Sequence, residues 1–485
     1  MNKIFAQGKR LIDELGRERI FNGVNAVDKS NYADGKQEYP ELNEEVIKKF
    51  AESGFNLIRL GFTWAKLEPA PNKYNDEYIE SIGRVIDICE KYGIYVFLDM
   101  HQDLYSPVTN GDGAPKWATL LDGIKVHPMR FVWAEGYFWG RACHRAFDNF
   151  WKNKRVNNEG IQDRYADCWA YLAEKLGDKE PVIGFDMMNE PFPGSSGGKC
   201  FRKLVAGAAK TILFDKAVDR PQLIKDAISK DRVEKVLNHI TFDVLKKATK
   251  GCEKIIADFD KNTYAPFIKK VSTAIREKAP DKLLFLENSY WSNLGIPYSA
   301  PPIEVDGKRD PQQLFAPHAY DFMVDTPEYK YANNGRVGGI FGEHKRSQDR
   351  LDMPVIVGEW GGFGASDDES WLEHIKYLLG LFDTNKWSNT YWCYMPSFFA
   401  SPLMKVFVRP YPMAVCGEIE SYNYDYKTKT FKLSFTQEAD GENIICAPFP
   451  IQSFKIDGRN RKYQLDGAKV SVKTKAGTHK LEITF

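Results

Sequence analysis

The chain has 485 residues, 43% of them apolar, and a formal net charge of +1. That length exceeds one ordinary domain and leaves room for a large core. The charge balance gives no electrostatic footprint for nucleic acid, and no apolar run approaches the roughly 20 residues of a membrane span. Aromatic residues reach 14%, with 11 Trp and 24 Tyr, a supply that suits both a large core and ring-lined clefts.

The start, Met1 to Arg10, is polar and lacks the apolar stretch of a secretion signal. The expectation is a cytoplasmic chain, or a secreted one whose signal was trimmed. The eight cysteines, at 89, 143, 168, 200, 252, 393, 416 and 446, form no CxxC pair and read as reduced. No His pair has zinc-ligand spacing, so no metal or other cofactor is expected.

From residue 20 strand-like and helix-like segments alternate, the signature of parallel βα units. Ile20 to Asn25 reads as the first strand. Glu41 to Ser53 reads as a helix, with Val46, Ile47 and Phe50 at helical spacing and Gly54 as its stop. Asn56 to Leu60 is the second strand, closed by Arg59-Leu60. A helix from Glu77 carries Ile79, Ile82, Val85, Ile86 and Cys89 and stops at Gly93; Tyr95 to Asp99 is the third strand. Val182 to Met187 is the fourth, Leu283 to Glu287 the fifth and Leu314 to Pro317 the sixth. Val355 to Val357 is the seventh and Asn389 to Trp392 the eighth. Ser366 reads as the cap of a helix carrying Trp371, Ile375, Leu378, Leu379 and Phe382.

Eight such strands, apolar without alternation, predict a (β/α)8 TIM barrel over residues 1–405. Two connections are much longer than ordinary βα loops. One, from Leu104 to Gly160, holds Trp117, Phe131, Trp133, Tyr137, Phe138, Trp139, Phe147 and Trp151. The other, from Phe192 to Ala279, holds helical stretches such as Val233 to Lys250. Both leave the C-terminal ends of strands and rise around the barrel mouth. From 406 to 485 the pattern changes to period two, as in Ser421 to Tyr426 and Thr430 to Phe435, with Asp-Gly and Ala-Gly turns. This predicts a C-terminal β-sandwich domain, read as a structural support.

Polar residues just outside the strands converge on that mouth. Arg59 closes the second strand, His101 and Asp103 follow the third, and Asn189-Glu190-Pro191 follows the fourth. His318 and Tyr320 follow the sixth, Glu359 ends the seventh, and Trp392 ends the eighth. Barrels do their chemistry at that end, and two carboxylates there can divide acid-base and nucleophile duties on a glycosidic bond.

These motifs resemble glycoside hydrolase family 5. Gly23 to Lys29, Asp99-Met100-His101-Gln102-Asp103 and Arg409 to Val415 are similar to its endoglycoceramidase-like subgroup. The resemblance implies Glu190 as acid/base and Glu359 as nucleophile of a retaining O-glycosyl hydrolase. It implies Arg59 and Tyr320 on Glu359, Asn189 at the sugar 2-hydroxyl, Trp392 as floor, and His101 and His318 as supports. Lys66 and Asp103 would contact sugar hydroxyls, although Lys66 reads equally as a solvent-facing loop lysine. The implied substrate is a β-glycoside or glycolipid such as glucosylceramide, with transient contact to a membrane or micelle surface. The alternatives are an exo-acting β-glucosidase on steryl or other small β-glucosides, and a non-catalytic sugar-binding barrel.

Overall fold

A computed structural model describes residues 1–30, 42–130, 132–324, 327–362 and 369–485. Eight parallel strands form a ring: Asn22–Val27, Leu57–Thr63, Tyr95–His101, Val182–Asp186, Leu283–Glu287, Gln313–Ala316, Ile356–Trp360 and Ser388–Tyr391. The first six pair in chain order, the eighth pairs with both the first and the seventh, and single bridges at Phe315–Val355 and His318–Glu359 join the sixth to the seventh. The strands are buried along their whole lengths or nearly so, which is why their sequences show no alternation.

Several boundaries differ from the sequence reading. The first helix is Glu44–Glu52, capped by the Asn43 side chain, which accepts from the Val46 amide; Glu41, Phe131 and Ser366 lie outside the described residues. The helix Asp76–Lys91 starts on an Asn75 cap. The second strand runs on through Gly61-Phe62-Thr63, so Arg59 sits inside it rather than closing it. Polar Arg59 looked like a strand end, but its neighbours on the ring neutralise it and the strand continues.

The C-terminal unit is two packed sheets, of seven and five strands. Residues near the N-terminus, assigned to the barrel by the sequence reading, belong to the larger one. Ile4–Gln7, Arg10–Asp13 and Arg17–Arg19 extend it, with Arg19 opposite Ala414. Ile4 and Leu11 also pack on Phe21, Phe97 and Phe285 in one apolar cluster. This hairpin therefore plugs the barrel floor while extending the sandwich. At the junction Arg409 makes a two-pronged pair with Asp383, at 2.5 and 2.7 Å, and the Tyr411 hydroxyl donates to the Gly54 carbonyl at 2.7 Å.

All eight cysteines are free thiols. Among the described residues no helix is long and apolar enough to cross a membrane.

Candidate active site

The mouth is organised by Arg59, whose side chain is wholly enclosed. It faces Asp186 at 2.9 Å, Asp99 at 3.0 Å, Glu287 at 3.6 Å and Glu359 at 2.6 Å. It also donates to the Asn25 and Asn189 side-chain oxygens, at 3.1 and 3.0 Å. A buried guanidinium needs its donors matched, and five strands supply the acceptors here.

Glu359 receives Arg59 on one oxygen and the Tyr320 hydroxyl, at 2.9 Å, on the other. The residue before it must be small: a Cβ on Gly358 would lie 2.6 Å from His318 Nε2. Glu190 stands opposite, in a turn rather than a strand, with φ +43°. A non-glycine residue in that region is strained, and such strain collects at functional sites. The turn is held by the Glu190 amide donating to Glu287 at 2.7 Å. Asn293 donates to the Glu190 carboxyl at 2.6 Å, and His318 Nδ1 lies 3.1 Å from the same oxygen.

An oxygen of Glu190 and one of Glu359 lie within 4.8 Å of each other. Burial, reinforced by the negative charge of Asp103, pushes Glu190 up to about 7. Burial likewise lowers His318 to about 3, leaving it a neutral donor. For His101, burial opposes the charged form, but the Asp99 carboxylate outweighs it and raises the ring to about 10. Burial and neighbouring Asp186 push Glu287 well up.

The remaining residues close the mouth. Asn189 exchanges bonds with Gln102: its amide nitrogen donates to the Gln102 carbonyl at 3.1 Å, and Gln102 donates to the Asn189 carbonyl at 2.8 Å. One of its two amide protons is thereby committed. His101 bonds Asp99 at 2.8 Å and stacks on Trp392, centroids 5.3 Å apart. Asp103 pairs with Lys29 and lies 3.6 Å from His101 Nε2.

Lys66 corrects the loop-lysine reading. It is not solvent-facing: it is fully buried in a short helix, 3.8 Å from Asp28 and over the Tyr78 ring. Lys29, exposed after the first strand, pairs with Asp103 and covers the Trp392 ring at 4.6 Å. Sequence reasoning also passed over Asn25, Asp99, Asp186, Glu287 and Asn293. The signal was present for three of them: Asp99 interrupts an apolar strand, Asp186 and Glu287 end theirs, and a buried charge is the informative exception.

A parallel eight-stranded barrel with paired carboxylates at the C-terminal ends of its strands defines the class of barrel hydrolases. The family is then given by sequence: residues 23–397 match the cellulase (glycosyl hydrolase family 5) model, and residues 409–484 match the glycoside hydrolase family 5 C-terminal domain. The chain belongs to glycoside hydrolase family 5. It is 34% identical over 212 residues to an endoglycoceramidase from Hydra vulgaris, covering 38% of this chain and 40% of that one. It is 24% identical over 451 residues to endoglycoceramidase I of Rhodococcus hoagii, covering 90% and 77%. The match thus spans about two fifths of the Hydra protein's length. The fold is similar to endo-glycoceramidase II from Rhodococcus sp., solved as its lactosyl-enzyme intermediate, with TM-score 0.72, 21% identity, and 98% and 99% of the two chains covered.

Proposed function

We propose that this chain is a retaining β-glycosidase that cleaves the bond between a sugar and a lipid-like aglycone, a glycosphingolipid such as glucosylceramide. The observation that carries the reading is the pair Glu190 and Glu359, with oxygens within 4.8 Å. Retention uses carboxyl groups about 5–5.5 Å apart, close enough for direct attack, whereas inversion leaves room for a water between them.

The two environments divide the labour. Glu359, held by Arg59 and Tyr320, is the oriented acceptor that attacks the anomeric carbon as the aglycone oxygen departs. Glu190, raised to about 7, carries the proton that this oxygen takes. It then accepts a proton from the water that hydrolyses the glycosyl-enzyme ester. The second Asn189 amide proton suits the sugar 2-hydroxyl. Trp392 supplies an apolar floor, and Lys29 with Asp103 contacts outer hydroxyls. The endoglycoceramidases of Hydra and Rhodococcus support the lipid aglycone.

The test is product identity. The enzyme is incubated separately with glucosylceramide, lactosylceramide and an aryl β-glucoside. Release of intact lactose marks cleavage at the lipid; glucose from single-sugar substrates alone marks an exo enzyme and replaces the endo reading. A 2-fluoro sugar should leave its label on Glu359, and a label on any other residue removes the assignment.

A further inference from the structure

The insert at 195–250 differs from the rest of the chain in charge and in what it exposes. It holds 13 Lys and Arg against 6 Asp and Glu, while the whole chain is at +1. Its longest helix, Ser195–Phe214, buries Cys200 and Thr211 on one side. Phe201, Val205 and Ile212 recur four and seven residues apart, so they share one stripe of the outer surface. Arg202, Lys203 and Lys210 lie exposed beside that stripe.

The helix ends in Leu213 and Phe214, 59% and 73% exposed, and the next helix, Arg220–Ala227, is followed by Ile228, 82% exposed. Arg220 ties the two helices together, donating to the Ile212 and Leu213 carbonyls at 3.1 and 2.9 Å. Single exposed apolar residues are ordinary, but several grouped large ones mark an interaction surface. The stripe also connects inward. Phe201 stacks on Phe138 with centroids 4.9 Å apart, Phe138 lies 6.2 Å from Trp291, and the turn of Trp291 carries Asn293, which bonds Glu190.

We propose that this insert is a docking element for the surface of an anionic lipid bilayer. Leu213, Phe214 and Ile228 enter the boundary between headgroups and acyl chains, and the basic stripe meets lipid phosphates. The charge selects this occupant over a second copy of the chain, because a two-fold pairing sets the same patch against itself. An aromatic path then leads from the docked stripe to the mouth. Docking requires no turnover, so the inference stands or falls apart from the reading of the site.

The experiment is co-sedimentation of the full chain with vesicles of phosphatidylcholine alone and of an equal mixture with phosphatidylglycerol, at low and high salt. Binding is expected to the anionic vesicles and to weaken with salt. Leu213→Ser/Phe214→Ser/Ile228→Ser and, separately, Lys203→Gln/Lys210→Gln should each reduce it roughly tenfold. Turnover of a soluble aryl glycoside and the unfolding midpoint should remain those of the parent. The proposal is overturned if no vesicle binds, if the variants bind like the parent, or if the apolar variant instead converts a dimer to a monomer.

Discussion

Two buried arginines, one at the domain junction and one at the barrel mouth, show what enclosing a charge does. Arg409 at the junction meets a single carboxylate, Asp383, through two short bonds. Arg59 at the mouth meets four carboxylates: Asp99, Asp186, Glu287 and Glu359. The junction is balanced, so its charges act as a clasp. The mouth has more acid than its guanidinium can neutralise, and burial raises Asp186 to about 6, Glu190 to about 7 and Glu287 well above the usual range. An excess of carboxyl groups around one cation is a costly way to hold a fold, but it sets up protonated and ionised carboxyls side by side. That division is what a two-carboxylate mechanism uses.

The most severe way to break the mouth is to remove Glu359. Glu359→Ala should abolish turnover of every β-glycoside, because no covalent intermediate forms. Azide should restore some rate on an aryl glycoside and give the glycosyl azide of inverted configuration, since one displacement replaces two; NMR of the anomeric proton reads this. A product of retained configuration would assign the residue to proton transfer instead.

Glu190→Ala tests the other half. Loss of the acid should slow an alkyl or lipid glycoside by roughly 10²–10⁴-fold, while formation of the glycosyl-enzyme from an activated aryl glycoside, seen as a pre-steady-state burst, should change far less. In the parent, the acid must hold its proton, so kcat/KM for a poor leaving group should fall as pH rises through about 7, where Glu190 ionises. That alkaline limb should be missing from the Glu190→Ala profile. Equal losses on both substrates would remove the acid role.

At the junction the expected effect is on stability alone. Arg409→Met leaves Asp383 buried without its partner, a loss of about 3–5 kcal/mol, which a shift in the thermal or urea midpoint would report. Adding Asp383→Asn should recover part of it. The rate per folded molecule on an aryl glycoside should stay within a few-fold of the parent; a large fall would mean that the clasp also shapes the mouth.

This contrast was only partly legible in the chain. Strand order was readable because a strand covered on both faces must be continuously apolar, and Glu190, Glu359, Asn189, His318, Tyr320 and Trp392 followed from where those runs stop. The N-terminal hairpin was not, because its pairing with Tyr411–Cys416 bridges about four hundred residues of sequence, and local pattern carries no such information. The burial of Lys66 was hidden for a related reason: a lysine just after a strand reads as a loop residue, and only the packing of Asp28 and Tyr78 around it shows that it is enclosed. The strain at Glu190 was equally hidden, since Asn-Glu-Pro does not announce a positive φ.

The smallest effect, and the finest test of the acid surplus, is Glu287→Gln. Glu287 accepts the Glu190 amide at 2.7 Å and lies 3.2 Å from His318 Nδ1, so it props the strained turn. Burial and the adjacent Asp186 carboxylate raise it well above the usual carboxylate range, which favours its neutral form, whereas Arg59 and His101 outweigh burial and hold Asp99 below that range. A glutamine has nearly the same shape and the same lack of charge, and its oxygen can still accept the Glu190 amide. Glu287→Gln should therefore retain kcat within roughly tenfold, as expected when only uncharged hydrogen bonds are rearranged, with the alkaline limb still near 7. Glu287→Ala removes the acceptor, frees the turn and should cost considerably more in kcat than in KM. If the glutamine variant were as damaged as the alanine one, Glu287 would have to work as an anion, and the balance of charge argued for the mouth would be wrong.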